Sequence, residues 1–441
     1  MMGRGPQAVE AERTDNPVLS VENLRVQGPG GVIVANLSLT VASGETVAIV
    51  GESGSGKSIT ARAMTGLLPR GLSATGEVRY RGSNLLAGTE QQWRSIRGHQ
   101  IGFVLQDPFT MLNPVAKCGR IITESLPAGQ HRSRRERREE AVHRLREVGI
   151  HDPSTIDRYP FQISGGMRQR VAIAAALARD PQVLIADEPT TALDVTTQRD
   201  LLALIKHIQA DRGMALVLIT HDLRVAFSIC DRVSVMYAGS MVEVAPPDAL
   251  AATPMHPYSQ GLLLSEPPVG HKVRELVVIP GSVPTASETT GCPFAPRCRW
   301  VAPECTTSAP TLAPVGSGRW SACVRLPDIE PQMRTEQSTS TQALAENIPH
   351  VTPRALVSVV GLSKTFGTRR AAVPVLKDVS IEIGENESVG LVGESGSGKT
   401  TLARSLVGLE QPTDGRMNIC GVGEGLRRPR VGPADVSRPA T

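Results

Sequence analysis

Gly51–Leu67 reads GESGSGKSITARAMTGL, and Gly393–Leu409 reads GESGSGKTTLARSLVGL; the two stretches are identical at 11 of 17 positions. Each opens as G-x-x-x-x-G-K-[S/T], follows an apolar run (TVAIV, SVGLV) and precedes a helical pattern. That order predicts strand, phosphate-cradling loop and helix. Glycines let the backbone wrap an anion, and the N–H groups at the helix head point inward at it. Lys57 is placed to reach β- and γ-phosphates, and Ser58 to ligate Mg²⁺. The candidate nucleotide-binding residues are therefore Gly51, Ser53, Gly54, Ser55, Gly56, Lys57, Ser58 and Ile59. In the second loop they are Gly393, Ser395, Gly396, Ser397, Gly398, Lys399, Thr400 and Thr401.

The repeat extends outward from the loops. LSVENLRV (Leu19–Val26) resembles VSVVGLSK (Val357–Lys364), LSLTV matches VSIEI, and TGEVRYRG (Thr75–Gly82) resembles DGRMNICG (Asp414–Gly421). Asn386 stands where the first copy has Gly44, and Asn tolerates φ > 0 well enough to keep the turn. The first copy then continues through long patterned sequence. The second stops, and 422–441 is rich in Pro, Gly and Arg with no helix or strand period. The expected organisation is a first domain over 18–250, an extension over 251–326, a polar linker over 327–353, a truncated second copy over 354–421 and an unpatterned tail over 422–441.

Only the first copy carries further chemical motifs. VLIADEPTTALD (Val183–Asp194) is an apolar strand ending in Asp187-Glu188. Asp187 is placed to hold Mg²⁺, and Glu188 to polarise an attacking water. A second strand, ALVLI, ends in Thr220-His221-Asp222, where a histidine can contact a γ-phosphate. ISGGMRQR (Ile163–Arg170) begins a helix, and Ser164, Gly165 and Gly166 leave N–H groups open at its start, a second anion site.

The order GESGSGKS, FVLQDP, ISGGMRQR, VLIADEP, TALD, ITHD resembles the nucleotide-binding domain of ABC transporters. More narrowly, the chain resembles the ATPase subunits of oligopeptide/dipeptide importers. That match rests on QDPFTMLNP (Gln106–Pro114), YPFQISGGMRQR (Tyr159–Arg170), PMHPYSQGLL (Pro254–Leu263) and IPGSVPTASETTGCPFAPRC (Ile279–Cys298). The resemblance implies an α/β P-loop NTPase of the ABC type: a mixed, largely parallel sheet core, an antiparallel β subdomain and a helical signature subdomain. It implies ATP and Mg²⁺ as ligands. Gln106 matches the Q-loop, Ser164–Gln169 the signature that meets ATP held by an opposite domain, and Asp187 and Glu188 the Walker B pair. Asp194 matches the D-loop and His221 the switch histidine. Catalysis would thus fall to Glu188, His221 and Gln106, and the Mg²⁺ to Ser58, Gln106 and Asp187.

The resemblance also implies membrane-spanning permease subunits, an indirect solute-binding protein and a place at the cytoplasmic face of the plasma membrane. The second copy lacks a signature, so the first is expected to pair in trans, as a homodimer or heterodimer. Two other readings stand beside this one: a non-catalytic nucleotide-binding remnant of a truncated gene, and a soluble ABC ATPase outside transport. Where the family usually stacks an aromatic residue on adenine, the first copy has Gln27 and Gly28, whereas the second keeps Phe366.

Cys292, Cys298, Cys305 and Cys323 lie in the Pro-rich extension as C-x5-C-x6-C-x17-C. They are a candidate Cys₄ site for a [4Fe–4S] cluster, with Zn²⁺ as the alternative and four packed thiols as the plain reading. Net charge is +4, from 47 Lys+Arg and 43 Asp+Glu, which is too weak to argue for nucleic acid. The basic run His131–Ile150 reads as a solvated helix with Ala141, Leu145 and Val148 inward. No apolar run approaches the ~20 residues of a membrane helix, and the N-terminus has no signal-type apolar region, so a membrane role is expected to be peripheral.

Overall fold

TVAIV, IGFV, VLIAD and ALVLIT are short apolar runs, and all become buried strands. The computed structural model describes residues 17–124, 126, 133–191, 193–267, 277–285, 290–341, 355–367, 372–394, 396–419 and 422–425. The chain divides into two units: Met1–Leu193 with Thr197–Ala345, and Glu346–Thr441 with Asp194–Thr196.

In the first unit the strands are β1 (Leu19–Gly28), β2 (Gly31–Val41), β3 (Thr46–Val50), β4 (Ser73–Tyr80), β5 (Ser83–Asn84), β6 (Ile101–Val104), β7 (Val183–Asp187), β8 (Ala215–Thr220), β9 (Arg232–Tyr237), β10 (Ser240–Ala245), β11 (Ala313–Gly316) and β12 (Arg319–Ser321). They order as β5-β4-β1-β2-β10-β9-β3-β8-β7-β6, with β12 on β10 and β11 on β12. β9, β3, β8, β7 and β6 are mutually parallel. β1, β2, β4 and β5 pair antiparallel, as the expected β subdomain.

Successive side chains of a strand face opposite sides, and the parallel strands use both. Val47, Ile49, Val183, Ile185, Val217 and Ile219 enter one core. Ala48, Val50, Leu184, Ala186, Leu216 and Leu218 enter the other. A strand covered on both faces needs a continuous apolar run instead of alternation. The helix Gly165–Leu177 packs on β6 and on the helices Cys118–Glu124 and Arg134–Glu147, forming the helical subdomain. The basic run behaves as read: Ala141, Leu145 and Val148 are buried, and Ser133 caps the helix with Glu136 in a capping box. His131 and Arg132 lie outside the described residues.

The extension is not a separate body. Tyr258 and Phe294 join the core that covers one face of the sheet, and β12 extends the sheet from β10. The polar linker expected from 327 is helical over its first half, Leu326–Thr341. Leu326, Ile329 and Met333 are buried at helical spacing. Gln260 Nε2 donates to Met333 O (2.6 Å), and Trp300 Nε1 to Gln332 Oε1 (2.9 Å). Tertiary burial of three apolar residues outweighs Pro327, Pro331 and the polar composition, which had suggested a linker.

The second unit has four antiparallel strands, β13 (Ala355–Phe366), β14 (Val373–Gly384), β15 (Asp414–Ile419) and β16 (Val422–Gly425), ordered β14-β13-β15-β16. β16 corrects the expected unpatterned tail: Val422–Gly425 pairs with β15 as a hairpin. Its buried core is Val359, Leu362, Leu376 and Leu402. SVGLV does not form the expected strand. The segment lies in no strand or helix, and Val389, Leu391 and Val392 are exposed. β3 is held between β8 and β9, whereas among the described residues no strand pairs with 388–392. Each valine left in water forfeits roughly 1.5–3 kcal/mol of burial. Asn386 does take the left-handed turn conformation, with φ 57° against 74° at Gly44.

Candidate nucleotide site

β3, β8, β7 and β6 are neighbours, and their carboxyl ends carry the loop at Gly51, His221, Glu188 and Gln106 respectively. Ligands of open parallel sheets bind outside these strand ends. The loop after β3 is shaped by glycines: Gly54 and Gly56 have φ of 84° and 99°. A Cβ on Gly51 would lie 2.1 Å from Met236 O, so the backbones approach too closely for any side chain. Gly56 caps the helix Lys57–Met64. Ser53 and Gly54 are exposed, Ser55 and Lys57 buried, and Ile59 half-buried on the helix.

Lys57 Nζ lies inside the loop, donating to Gly51 O and Glu52 O, both at 2.8 Å, and to Ser55 Oγ at 3.5 Å. Burial lowers its pKa, against the opposing field of Glu188, Asp187 and Glu52. The Ser58 hydroxyl donates to Asp187 Oδ1 at 3.1 Å. Burial raises the Asp187 pKa, an environment that disfavours its bare charge and favours a cation beside it. Two hard oxygen donors meeting here suit Mg²⁺.

Glu188 is the hub of the remaining polar groups. Gln106 Nε2 donates to Glu188 Oε2 (2.9 Å), Thr191 Oγ1 donates to the same oxygen (3.0 Å), and His221 Nδ1 lies 3.2 Å from Oε1. The Glu188 backbone has φ 46°, a left-handed conformation uncommon for a non-glycine, and its N–H is tied to Ile219 O at 2.9 Å. Strain of this kind persists where the surroundings over-determine it, and it clusters at working sites.

The signature lies elsewhere, on the helical subdomain. Ser164 caps the helix Gly165–Leu177, accepting from Met167 N at 3.3 Å. Ser164 and Gly165 are exposed, and a Cβ on Gly165 would meet nothing within 4 Å, so this helix head is open. Gln169, by contrast, is buried on the same helix, at 2% exposure. Asp194 immediately precedes the helix Val195–Arg212.

The second loop has nearly the same local shape. Gly393, Gly396 and Gly398 have φ of 155°, 86° and 96°, against 154°, 84° and 99° in the first. Lys399 Nζ donates to Gly393 O (2.6 Å), Glu394 O (2.7 Å) and Ser397 Oγ (3.5 Å). Thr400 and Thr401 lie in the first turn of the helix Lys399–Leu406, and among the described residues no carboxylate accepts from Thr400. Ser395 lies outside the described residues. Phe366 ends β13 with Lys364 Nζ 4.8 Å from its ring centre.

The four extension cysteines line one cavity with His256, Phe294 and Trp300. All four are free thiols; Cys305 is buried and the others half-buried. Burial pushes Cys298 up to about 11 and Cys323 up to about 12. Among the described residues no group of three or more His, Cys, Asp or Glu is arranged to hold a metal ion. Cys118 and Cys230 are buried packing residues, and Cys420 lies outside the described residues.

Sequence reasoning missed two partners of the phosphate loop. Tyr258, of HPY, and Arg297, of APRC, both bind Glu52. The motifs were visible, but nothing in their spacing said what they touch.

This arrangement defines an ABC-type P-loop ATPase. The family pattern described as ABC transporter matches residues 34–191 and 376–428, and that of the oligopeptide/dipeptide transporter C-terminal region matches 242–305. The chain is 40% identical over 421 residues to the oligopeptide transport ATP-binding protein OppD of Mycobacterium tuberculosis, covering 92% of this chain and 69% of that protein. It is 44% identical over 322 residues to a putative peptide import ATP-binding protein of Brucella abortus, covering 71% and 97%. A dimeric ATP-binding cassette solved in a post-hydrolysis state with ADP and phosphate is 29% identical, covering 52% of this chain and 98% of that one, with TM-score 0.48. The chain belongs to the oligopeptide/dipeptide transporter family of ABC ATPases. Among the described residues no helix is long and apolar enough to cross a membrane.

Proposed function

We propose that this chain binds MgATP at the first loop and hydrolyses it to power import of di- or oligopeptides through membrane-spanning permease subunits. One observation carries the reading. Lys57, the Ser58–Asp187 pair and the Gln106–Glu188–His221 cluster stand at the ends of four adjacent parallel strands. Lys57, with the loop N–H groups of Gly51–Ser58, would hold the β- and γ-phosphates. Ser58, Asp187 and Gln106 would hold Mg²⁺, which when bound neutralises phosphate charge. Glu188 accepts the proton of the attacking water, Gln106 and His221 orient it, and Asp194 belongs to the facing edge of the site.

Ser164, Gly165 and Gly166 serve the ATP of a second ATPase domain in trans, a reading supported by the open, exposed helix head at Ser164 and Gly165. The second loop, with the same lysine contacts as the first, is read as a phosphate-holding loop. The chain would act at the cytoplasmic face of the plasma membrane, with substrate delivered by a solute-binding protein. The relatives named as peptide import proteins support peptides as the cargo.

We propose a [4Fe–4S] cluster at the four cysteines, a reading supported by their lining one cavity. Zn²⁺ bound by the same four sulfurs is the alternative. Four thiols around one cavity suit a polynuclear group, which when bound would link the segments carrying Cys292, Cys298, Cys305 and Cys323.

Reconstitution with the permease subunits in vesicles tests the transport reading. ATP turnover stimulated by peptide-loaded binding protein supports it. ATP binding without turnover in that complex would leave the non-catalytic reading in its place, and turnover without any permease association would point to an ATPase outside transport.

A further inference from the structure

Glu52 is the second residue of the phosphate loop, and the loop motif gives it no task. All three of its polar groups are nonetheless anchored. Its N–H donates to Tyr258 Oη at 2.8 Å, and its carbonyl accepts from Lys57 Nζ at 2.8 Å. Its carboxylate takes both arms of Arg297, Nη1 to Oε2 at 2.7 Å and Nη2 to Oε1 at 3.1 Å. Two of these three anchors come from the extension, over 200 positions along the chain.

Arg297 is itself fully committed. Nε donates to Pro280 O (2.6 Å), Nη1 also to Tyr237 Oη (3.2 Å), and Nη2 also to Ile279 O (3.2 Å). A guanidinium has five N–H donors, and here each has an acceptor. The Arg297 side chain is 6% exposed and that of Glu52 27%. The rings below are packed as a group: Tyr237 to Tyr258 at 4.5 Å, Tyr237 to Phe294 at 5.2 Å and Tyr258 to Phe294 at 5.4 Å between centres. A charge-assisted bidentate pair on such a base fixes geometry as well as contributing energy.

We propose that Arg297 and Tyr258 are positioning residues for the nucleotide. Through Glu52 they hold the loop in the shape that receives the phosphates, which makes the extension a working part of the ATP site. The proposal rests on reading Gly51–Ser58 as that site. A loop with left-handed glycines loses much conformational entropy when it orders, and anchors that order it beforehand spare the ligand that cost. The second loop supplies the contrast within one chain. It has the same GESGSGK sequence and the same lysine contacts, but Glu394 is exposed and has no ion pair among the described residues. The anchoring of Glu52 is therefore a property of the extension and not of the loop.

The test measures MgATP affinity by calorimetry on the full chain for wild type, Lys57→Ala, Glu52→Gln, Tyr258→Phe, Arg297→Lys and the Glu52→Gln/Arg297→Lys double variant. Circular dichroism and melting are followed in parallel. Each clamp variant should bind ATP about tenfold more weakly, and the double variant no more weakly than the worse single one, because the pair acts as a unit. Amide exchange should accelerate over 51–58 while β7 and β8 stay protected. In the permease-bound ATPase, KM should rise with kcat nearly unchanged. If wild type binds no ATP, or Lys57→Ala binds as wild type does, the nucleotide site and the clamp fall together. If Lys57→Ala loses ATP while the clamp variants bind as tightly as wild type, or the two single losses add, the clamp is overturned and the site stands. Glu52→Gln and Tyr258→Phe keep shape and bulk, so they decide the matter even if Arg297→Lys does not fold.

Discussion

The Ser58 hydroxyl donates to the Asp187 carboxylate across 3.1 Å, although 129 positions separate them in the chain. The contact joins the first turn of the loop helix to the end of β7. Burial raises the Asp187 pKa here, so the pair is polarised toward taking up a cation. Lys57 is beside it, its own pKa lowered by the same burial. Lys57 and Asp187 are thus buried together, and positive charge arrives with the ligand as well as from the protein.

Replacing Lys57 with Ala should abolish ATP binding at the first loop. The ammonium is the loop's one buried cation, and its loss leaves the phosphates facing only backbone N–H groups. Affinity should fall by at least about a hundredfold, as for other deleted charged contacts in closed sites. Undiminished binding or turnover would refute the assignment of this site.

Glu188→Gln should trap the nucleotide. The amide keeps the bonds to Gln106 and Thr191 in shape but cannot take a proton from water. Solution mass measured with and without MgATP should then shift from monomer to dimer if two first copies complete each other. A monomer in both conditions would mean that the chain requires a different ATPase subunit or does not form the ATP sandwich.

The extension should make stability pH-dependent through Glu243. Burial raises this carboxyl from its ordinary 4.5 to about 7, with the Ser259 side chain, Met255 N–H and Arg319 (3.8 Å away) only partly offsetting it. The folded state therefore holds the proton more tightly than the unfolded state. The stabilisation is fully present below pH 4.5 and is lost as pH rises through 7, about 3 kcal/mol in all. His256, also buried, acts in the opposite sense: its pKa is lowered to about 3, so its contribution is present above pH 6.5 and lost as pH falls through 3. Comparing wild type with Glu243→Gln cancels the histidine. The melting temperature of wild type relative to the variant should fall between pH 5 and pH 8; a constant difference would sink the assignment.

Anaerobically purified protein should carry iron and sulfide near one cluster per chain, with visible absorbance that Cys298→Ser reduces. Colourless, metal-free protein prepared the same way would leave Cys292, Cys298, Cys305 and Cys323 as packed thiols.

Much of the site was legible in the residues because its parts are local motifs at strand ends. The loop, Asp187-Glu188 and His221 each announce themselves through an apolar run that stops at a polar group, and the parallel sheet then brings the stops together. The burial of Gln169 was not legible, because a motif says nothing about which side of its helix faces the core. Leu326–Thr341 was misread because three buried side chains, not local propensity, make it a helix. The clamp on Glu52 was illegible because its halves lie in different motifs.

The two copies of GESGSGK separate the local from the non-local. Loop geometry is carried by the glycines and lysine themselves, so Gly51–Lys57 and Gly393–Lys399 agree in backbone angles and lysine contacts without sharing surroundings. Whether the preceding apolar run becomes a strand is not local. TVAIV is β3 with β8 and β9 flanking it, whereas among the described residues no strand pairs with SVGLV. Hydrogen bonds of a sheet and burial of its side chains exist only between segments, and so do the ion pair at Glu52 and the meeting of Ser58 with Asp187.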